Sequence, residues 1–416
     1  MHLIENVWEL LMKTLGLLLL PVIALYGCNS SSSNTSSAID SCKALNSDSF
    51  SCEQMLGDIV EHAVKPTVAS FSTQAQNLAT ETAEYCTALT TTTNESAALT
   101  EAQTAWQESM SVWQQLEVMQ FGPLATERDE FYSWPLNDSC KVDEEVVFSL
   151  ADGYDISSGV TPARRGLDGL EYLLFNADAN ISCGANNSTA ALTAWNEKDD
   201  AAKFIDRCSF AEKVTADLVV RAQALEASYS QYDITSAASL QVVADSISDA
   251  LFYIDKEVKD DKLTALLPQT GTQGFSADKL EFAYASYTKQ AVKNNALAVK
   301  AIFTANGNEG LAQYLIAAGQ GDLATEMTNE LDTIITNSSD AYISDTFRNI
   351  LTAAEQNTGD SDVSDCINAD VGSSSNNLIK LCALDNDVKA FTDDLKGQFV
   401  LTLGFSVPTN VEGDND

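Results

Sequence analysis

The chain has 416 residues and a formal net charge of −37, from 60 acidic and 23 basic side chains. Such an imbalance repels nucleic acid and anionic lipid headgroups and attracts cations and basic partners; its plainest use is solubility in a saline medium. Only His2 and His62 occur, so a Ser–His–Asp triad, a Cys–His pair and a multi-histidine zinc site are excluded unless His62 takes part.

Leu17 begins an apolar run that ends in Leu25-Tyr26-Gly27-Cys28, a small residue followed by cysteine as in a bacterial lipobox. The run is shorter than the ~20 residues that cross a bilayer. Residues 1–27 are therefore expected to be a lipoprotein signal peptide, with Cys28 lipidated. Met12-Lys13 offers the positive start that Glu5 and Glu9 spoil, which places translation initiation at Met12. Losing Lys13, Glu5 and Glu9 leaves 22 basic and 58 acidic residues, a net charge of about −36. Asn29, in place of the Asp of an inner-membrane retention signal, predicts an outer-membrane lipoprotein facing the periplasm of a Gram-negative cell. Residues 28–53, opening with the Ser/Asn/Thr-rich segment 29–37, read as a flexible tether.

Eight further cysteines in an exported chain, with no C-x-x-C pair, predict up to four disulfides. Proximity favours Cys42–Cys52 and Cys366–Cys382. Cys86, Cys140, Cys183 and Cys208 pair among themselves in an order that stays open.

From Met55 onward Ala, Leu, Gln and Glu dominate and prolines are few, so the chain reads as all-α. A first helix over 55–90 is kinked at Pro66, and a second over 96–121 is stopped by Gly122-Pro123. Trp106 and Trp113, seven residues apart, share a core face. Residues 131–159 form a long connection. Thr161 as N-cap and Pro162 in the first turn then start a helix running to Phe175, with Leu167, Leu170 and Leu174 as its apolar stripe. Asp168 and Glu171 project one turn apart from a neighbouring face, beside the bare backbone of Gly166 and Gly169. A polar loop over 178–197 and a helix over 210–229 complete a four-helix bundle spanning 54–234. The second half, 235–416, repeats the scheme with helices near 236–255, 277–305, 321–337 and 388–402, separated by loops at 268–274 and 359–376. Asp360, Asp362 and Asp365 lack the glycine and distal glutamate of a calcium loop and read as solvated linker.

Gly166-Leu167-Asp168-Gly169-Leu170-Glu171, followed by Tyr172-Leu173-Leu174-Phe175, resembles the signature helix of the imelysin family, G-x-H-x-x-E followed by an aromatic residue and leucines. Asp168 stands at the histidine position. Trp106 to Pro123 is similar to the family's W-x(6)-W helix with its Phe-Gly-Pro stop, and Leu403-Gly404-Phe405 onward to its C-terminal tail. The resemblance runs in patches from about residue 55 to the C-terminus. It implies an imelysin-like fold of two four-helix-bundle-like halves. Some members are described as peptidases and others occur in iron-uptake systems, and the motif His and Glu resemble metal ligands. Carried onto this chain, Glu171 keeps a ligand role, Asp168 replaces the imidazole, and Glu117 near the Phe-Gly-Pro stop is a third oxygen donor.

An all-carboxylate set favours hard ions such as Ca²⁺, Mn²⁺ or iron over zinc. The added negative charge weakens the ion's Lewis acidity and raises the pKa of bound water. The resemblance and the address together imply a lipid-anchored protein that binds a divalent or iron cation, or a metal-bearing ligand, alongside iron-uptake partners and with no catalytic residue. A metallopeptidase and a structural or partner-binding surface lipoprotein are the alternatives. The opposing reading of the acidic pair is electrostatic, because Arg164 and Arg165 lie four and three residues before Asp168 and could compensate it on the helix surface.

Overall fold

The computed structural model describes residues 38–405, except 137, 185–188, 237–239, 271–272, 358–359 and 370–374. The expected signal peptide, Cys28, Asn29 and the acidic end of the chain lie outside the described residues. Residues 38–53, read from sequence as the end of the tether, are folded. Helix α1 (Ala38–Lys43) buries Ala38, Ile39 and Cys42, and the Cys42–Cys52 disulfide ties it to α2 (Cys52–Asp58). A short apolar face plus a cross-link is enough to order a segment whose composition is mostly polar.

The expected kink at Pro66 takes the form of a π-helical stretch, Ile59–Val64, between α2 and α3 (Lys65–Thr91). Proline lacks an N–H and its ring crowds the carbonyl four residues back. Lys65 N–H accordingly donates to Val60 O, and the freed carbonyl of His62 accepts from Asn306 Nδ2 at 2.7 Å. After a tight turn, α4 (Glu95–Val118) runs back along α3 and ends before Phe121-Gly122-Pro123, where Gly122 has φ +65°. Trp106 and Trp113 are both fully buried core residues.

The short helix α5 (Arg128–Phe131) precedes the connection expected over 131–159, and the connection itself holds α6 (Ser139–Phe148), capped by Asp138. The predicted signature helix is broken into α7 (Pro162–Arg165) and α8 (Leu167–Phe175). The polar loop contains α9 (Ala190–Asn196), and α10 (Asp200–Ser230), capped by Asp199, starts ten residues earlier than its apolar pattern suggested. Helix α10 packs on α3 and is locked to it by Cys86–Cys208; α8 packs against α4 and α10, completing the expected four-helix arrangement. Cys140–Cys183 joins α6 to the loop after α8, which settles the two pairings the sequence left open.

In the second half, α11 (Leu240–Leu251) leads into a π-helical stretch, Ile254–Asp261. The helix expected over 277–305 begins only at Thr288. Residues 280–287 instead form an irregular strap anchored by Phe282, which is fully buried among Trp106, Tyr132 and Tyr287. Helices α12 (Thr288–Thr304), α13 (Leu311–Ala317), α14 (Gly321–Asn337) and α15 (Phe347–Asn357) follow. The expected linker holds α16 (Asp360–Ile367), which Cys366–Cys382 ties to α17 (Asn377–Asp394), and α18 (Val400–Leu403) closes the series. Helix α12 touches α4 on one side and α14 on the other, so one apolar core runs through the described residues. The fold is all-α: among the described residues there is no β-strand, and no helix long and apolar enough to cross a membrane.

Candidate functional site

Gly166, with φ −95° and ψ −174°, is extended and starts α8 afresh, so Asp168 falls in the first turn of α8. Close approach explains the glycine: a Cβ there would stand 2.5 Å from Asp168 Oδ1 and 2.7 Å from the carbonyl oxygen of Phe131. A Cβ on Gly169 would meet the carbonyl oxygen of Arg164 at 2.7 Å. Trp106 Nε1 donates to Leu167 O at 2.8 Å and so pins the start of α8 to α4.

The break also turns the two arginines away. Arg164 pairs with Glu145 at 2.9 Å, and Arg165 bridges Glu130 at 2.5 Å and Asp217 at 3.2 Å. Compensation of Asp168 by these arginines along a continuous helix is therefore overturned. Asp168 is 3% exposed, and neither carboxylate oxygen has a hydrogen-bond partner. Burial pushes its pKa up to about 7, against the pull of the nearby backbone N–H groups of Gly169, Asp168 itself and Ser133.

Glu171 is equally buried, but its Oε1 accepts the N–H groups of Tyr284 and Ala285, both at 2.8 Å. These donors belong to the strap. Burial again dominates and raises the Glu171 pKa to about 7, with the amides opposing and the charge of Glu281 reinforcing the rise.

Glu117, expected as the third donor, is buried in an ion pair instead. Its Oε1 accepts from Trp113 Nε1 at 3.3 Å and from Arg128 at 3.4 Å; its Oε2 accepts from the Tyr253 hydroxyl at 2.6 Å and from Lys262 at 3.2 Å. Burial alone would raise its pKa, yet Lys262 and Arg128 hold it below the ordinary carboxylate range. Both oxygens are engaged, so the triad of Asp168, Glu171 and Glu117 is not assembled as three available donors. Among the described residues no three His, Cys, Asp or Glu side chains converge closely enough to hold a metal ion by themselves.

Sequence reasoning missed Glu281, which is 1% exposed, accepts from Lys262 at 3.0 Å and from the Tyr132 hydroxyl at 3.2 Å, and has its pKa raised by burial despite Lys262. No local pattern marks it, because the strap carrying it is placed by the burial of Phe282. It also missed the pair between Asp143 and Arg207, 3.0 Å apart in the core, where Tyr172 of the motif donates to Asp143 at 2.8 Å. His62 stands at the surface with its side chain 48% exposed, 3.8 Å from Asp58, as an ordinary helix-surface histidine does.

The sequence pattern of the imelysin family (peptidase M75) matches residues 64–369, most of the described fold and the whole of this site. The chain belongs to the imelysin family. An imelysin-like protein from Psychrobacter arcticum 273-4 has a similar structure, with a TM-score of 0.59 at 15% identity over 89% of this chain and 98% of that one. An iron-regulated protein A precursor from Parabacteroides distasonis ATCC 8503 gives 0.52 at 16% identity over 85% and 97%. At these identities the likeness shows the fold alone. Among curated proteins none matches the sequence.

In this imelysin-family chain Asp168 and Glu171 are oxygen donors of the type hard cations take, but two side chains alone do not make up a coordination shell. Asp168 presents two buried oxygens with no cationic partner and only backbone N–H groups nearby, and Glu171 lies one turn further along the same helix with one oxygen already held by the strap. The N-terminal turn of α8 supplies partial positive charge but no complete hydrogen bond to Asp168.

Proposed function

We propose that this imelysin-family protein is an exported, lipid-anchored binding protein that takes up a hard cation, free or carried by a small ligand, at Asp168 and Glu171, without peptidase activity. The observation that carries the reading is Asp168, a carboxyl group in the core with no cationic partner and no well-formed hydrogen bond to either oxygen, only the nearby backbone N–H groups of Gly169, Asp168 itself and Ser133. A buried carboxylate left in that state costs several kcal/mol, so it holds either a proton or a cation. Asp168 and Glu171 would hold the ion, and water or main-chain oxygens would complete its coordination, as hard ions accept. The ion would neutralise both carboxylates.

Hydrolysis is disfavoured by the same chemistry. Aspartate in place of a neutral imidazole adds negative charge to any bound ion and weakens its activation of water. The lipobox-like Leu25-Tyr26-Gly27-Cys28 supports anchoring at Cys28, and Asn29 supports an outer-membrane, periplasm-facing position. The acidic charge and the iron-regulated name of the Parabacteroides relative support a part in iron acquisition with partner proteins.

Calorimetry and metal analysis with Fe²⁺, Fe³⁺, Mn²⁺ and Ca²⁺ test the site. The wild type is expected to take up at least one of these ions and the D168N/E171Q variant none. Equal, negligible uptake by both proteins sinks the proposal. Chelator-sensitive cleavage of an unfolded protein substrate, restored by metal, would establish the peptidase instead. Palmitate labelling that persists in C28A would remove the anchor, and recovery of the wild type with inner-membrane markers on a sucrose gradient would refute the outer-membrane position.

A further inference from the structure

A second arrangement of buried oxygens lies apart from Asp168 and is already filled. The Nζ of Lys262 stands 2.6 Å from Gln114 Oε1, 3.0 Å from Glu281 Oε1, 3.2 Å from Glu117 Oε2 and 3.2 Å from Asn295 Oδ1. All five side chains are at most 1% exposed. Three N–H donors facing four oxygens, two of them on carboxyl groups, satisfy an ammonium ion completely. The rings of Tyr253 and Trp134 lie 5.4 and 5.9 Å from the same nitrogen and add favourable quadrupole contact.

The oxygens are oriented by groups other than Lys262. Gln114 Nε2 donates to Glu281 at 3.2 Å, which aims its oxygen at the lysine; Asn295 Nδ2 donates to the Gln114 carbonyl at 2.6 Å, which does the same for Asn295. Tyr253 and Trp113 hold Glu117, and Tyr132 holds Glu281. These contacts hold the oxygens in place independently of the bonds they make to Lys262. The oxygens come from α4, the strap and α12, while Lys262 follows the π-helical stretch Ile254–Asp261.

We infer that Gln114, Glu117, Glu281 and Asn295 form a primary-ammonium site that this chain fills with its own Lys262. The site is chosen for an RNH₃⁺ group by donor count and by burial of the attached alkyl stem. It uses none of the residues proposed to hold a cation at Asp168 and Glu171, although the charge of Glu281 reaches Glu171, and it joins the first half of the fold to the second by charge.

Truncation and chemical rescue test this. Lys262→Ala removes the atoms of an n-propylammonium ion, so the full-length K262A protein is expected to melt about 5 °C lower than wild type and to recover part of that loss in n-propylammonium chloride. Equimolar 1-propanol and tetramethylammonium, which lack respectively the charge and the N–H donors, are expected to give no recovery. The triple variant K262A/E117Q/E281Q is expected to lose the response to the amine. Absence of rescue, equal rescue by 1-propanol or tetramethylammonium, or rescue that survives in the triple variant overturns the inference. If K262A does not fold unaided, the readout is its refolding yield with each additive, judged by the same outcomes.

Discussion

Two sets of buried carboxyl groups occupy this core and are treated in opposite ways. Glu117 and Glu281 share the ammonium of Lys262; Arg128, Tyr253 and Trp113 complete Glu117, while Tyr132 and Gln114 donate to Glu281 Oε1 and its Oε2 has no hydrogen-bond partner. Asp168 is as deeply buried but has no ion pair and only the backbone N–H groups of Gly169, Asp168 itself and Ser133 near it, and Glu171 accepts two backbone amides but has no ion pair. Both sets are enclosed by the same kind of wall, so burial does not distinguish them. What differs is the presence of a built-in cation. Compensated carboxylates act as internal struts, whereas an uncompensated one is free to receive charge from outside.

The largest expected effect comes from stripping the compensated set of its cation. Lys262→Met leaves Glu117 and Glu281 facing each other and is expected to cost about 3–5 kcal/mol at pH 8, measured by denaturant unfolding. A cost under about 1 kcal/mol would mean that the two sets do not differ as described.

The next effect sharpens the other side. The pKa of Asp168 is raised to about 7 from 3.8, chiefly by burial, so the folded protein holds the proton more tightly than the unfolded chain. That contribution to stability is fully present below pH 4 and is lost as pH rises through about 7. The chelator-treated wild type is therefore expected to be less stable at pH 8 than at pH 5. Asp168→Asn, which never ionises, should regain about 4 kcal/mol at pH 8 and only about 1.5 kcal/mol at pH 5, because the unfolded chain already loses its proton between pH 4 and pH 5. Thermal melts at the two pH values decide it, and a pH-independent effect of the substitution would contradict the burial of an unpaired charge.

Gly166→Ala is expected to cost about 1–3 kcal/mol, because the added methyl meets Asp168 Oδ1 and the Phe131 carbonyl while the extended backbone itself tolerates any residue. Ion uptake should weaken with it, since Asp168 must shift. The smallest effect is assigned to Arg164→Ala. Its partner is Glu145 at a partly exposed pair, so about 1 kcal/mol or less is expected, with unchanged ion affinity. A large loss of affinity would restore the arginine to the site.

Much of this was legible in the residues themselves. Helix-forming composition and the scarcity of proline determined the all-α class; the 96–121 pattern, the tryptophan pair and the glycine-proline stop located α4; Pro66 marked the irregular turn before α3; and near-neighbour spacing selected two disulfides. These are local properties, carried by backbone propensity, by periodicity and by short loops. The motif likewise identified Asp168 and Glu171 as a pair on one short helix.

Tertiary structure decided what that pair means. Periodicity drew one helix through Gly166, but there the backbone is extended and passes close to both the Phe131 carbonyl and the Asp168 carboxylate, and Arg164 and Arg165 pair elsewhere. The strap over 280–287 scores as helix in composition, yet burying Phe282 outweighed that propensity and brought Glu281 and two backbone amides into the core. Whether a carboxylate is a strut or a binding group depends on cations contributed by distant segments, here Lys262 for Glu117 and none for Asp168. Spacing along the chain carries no record of such long-range pairings, because their energy arises only when separate helices exclude water from the same volume.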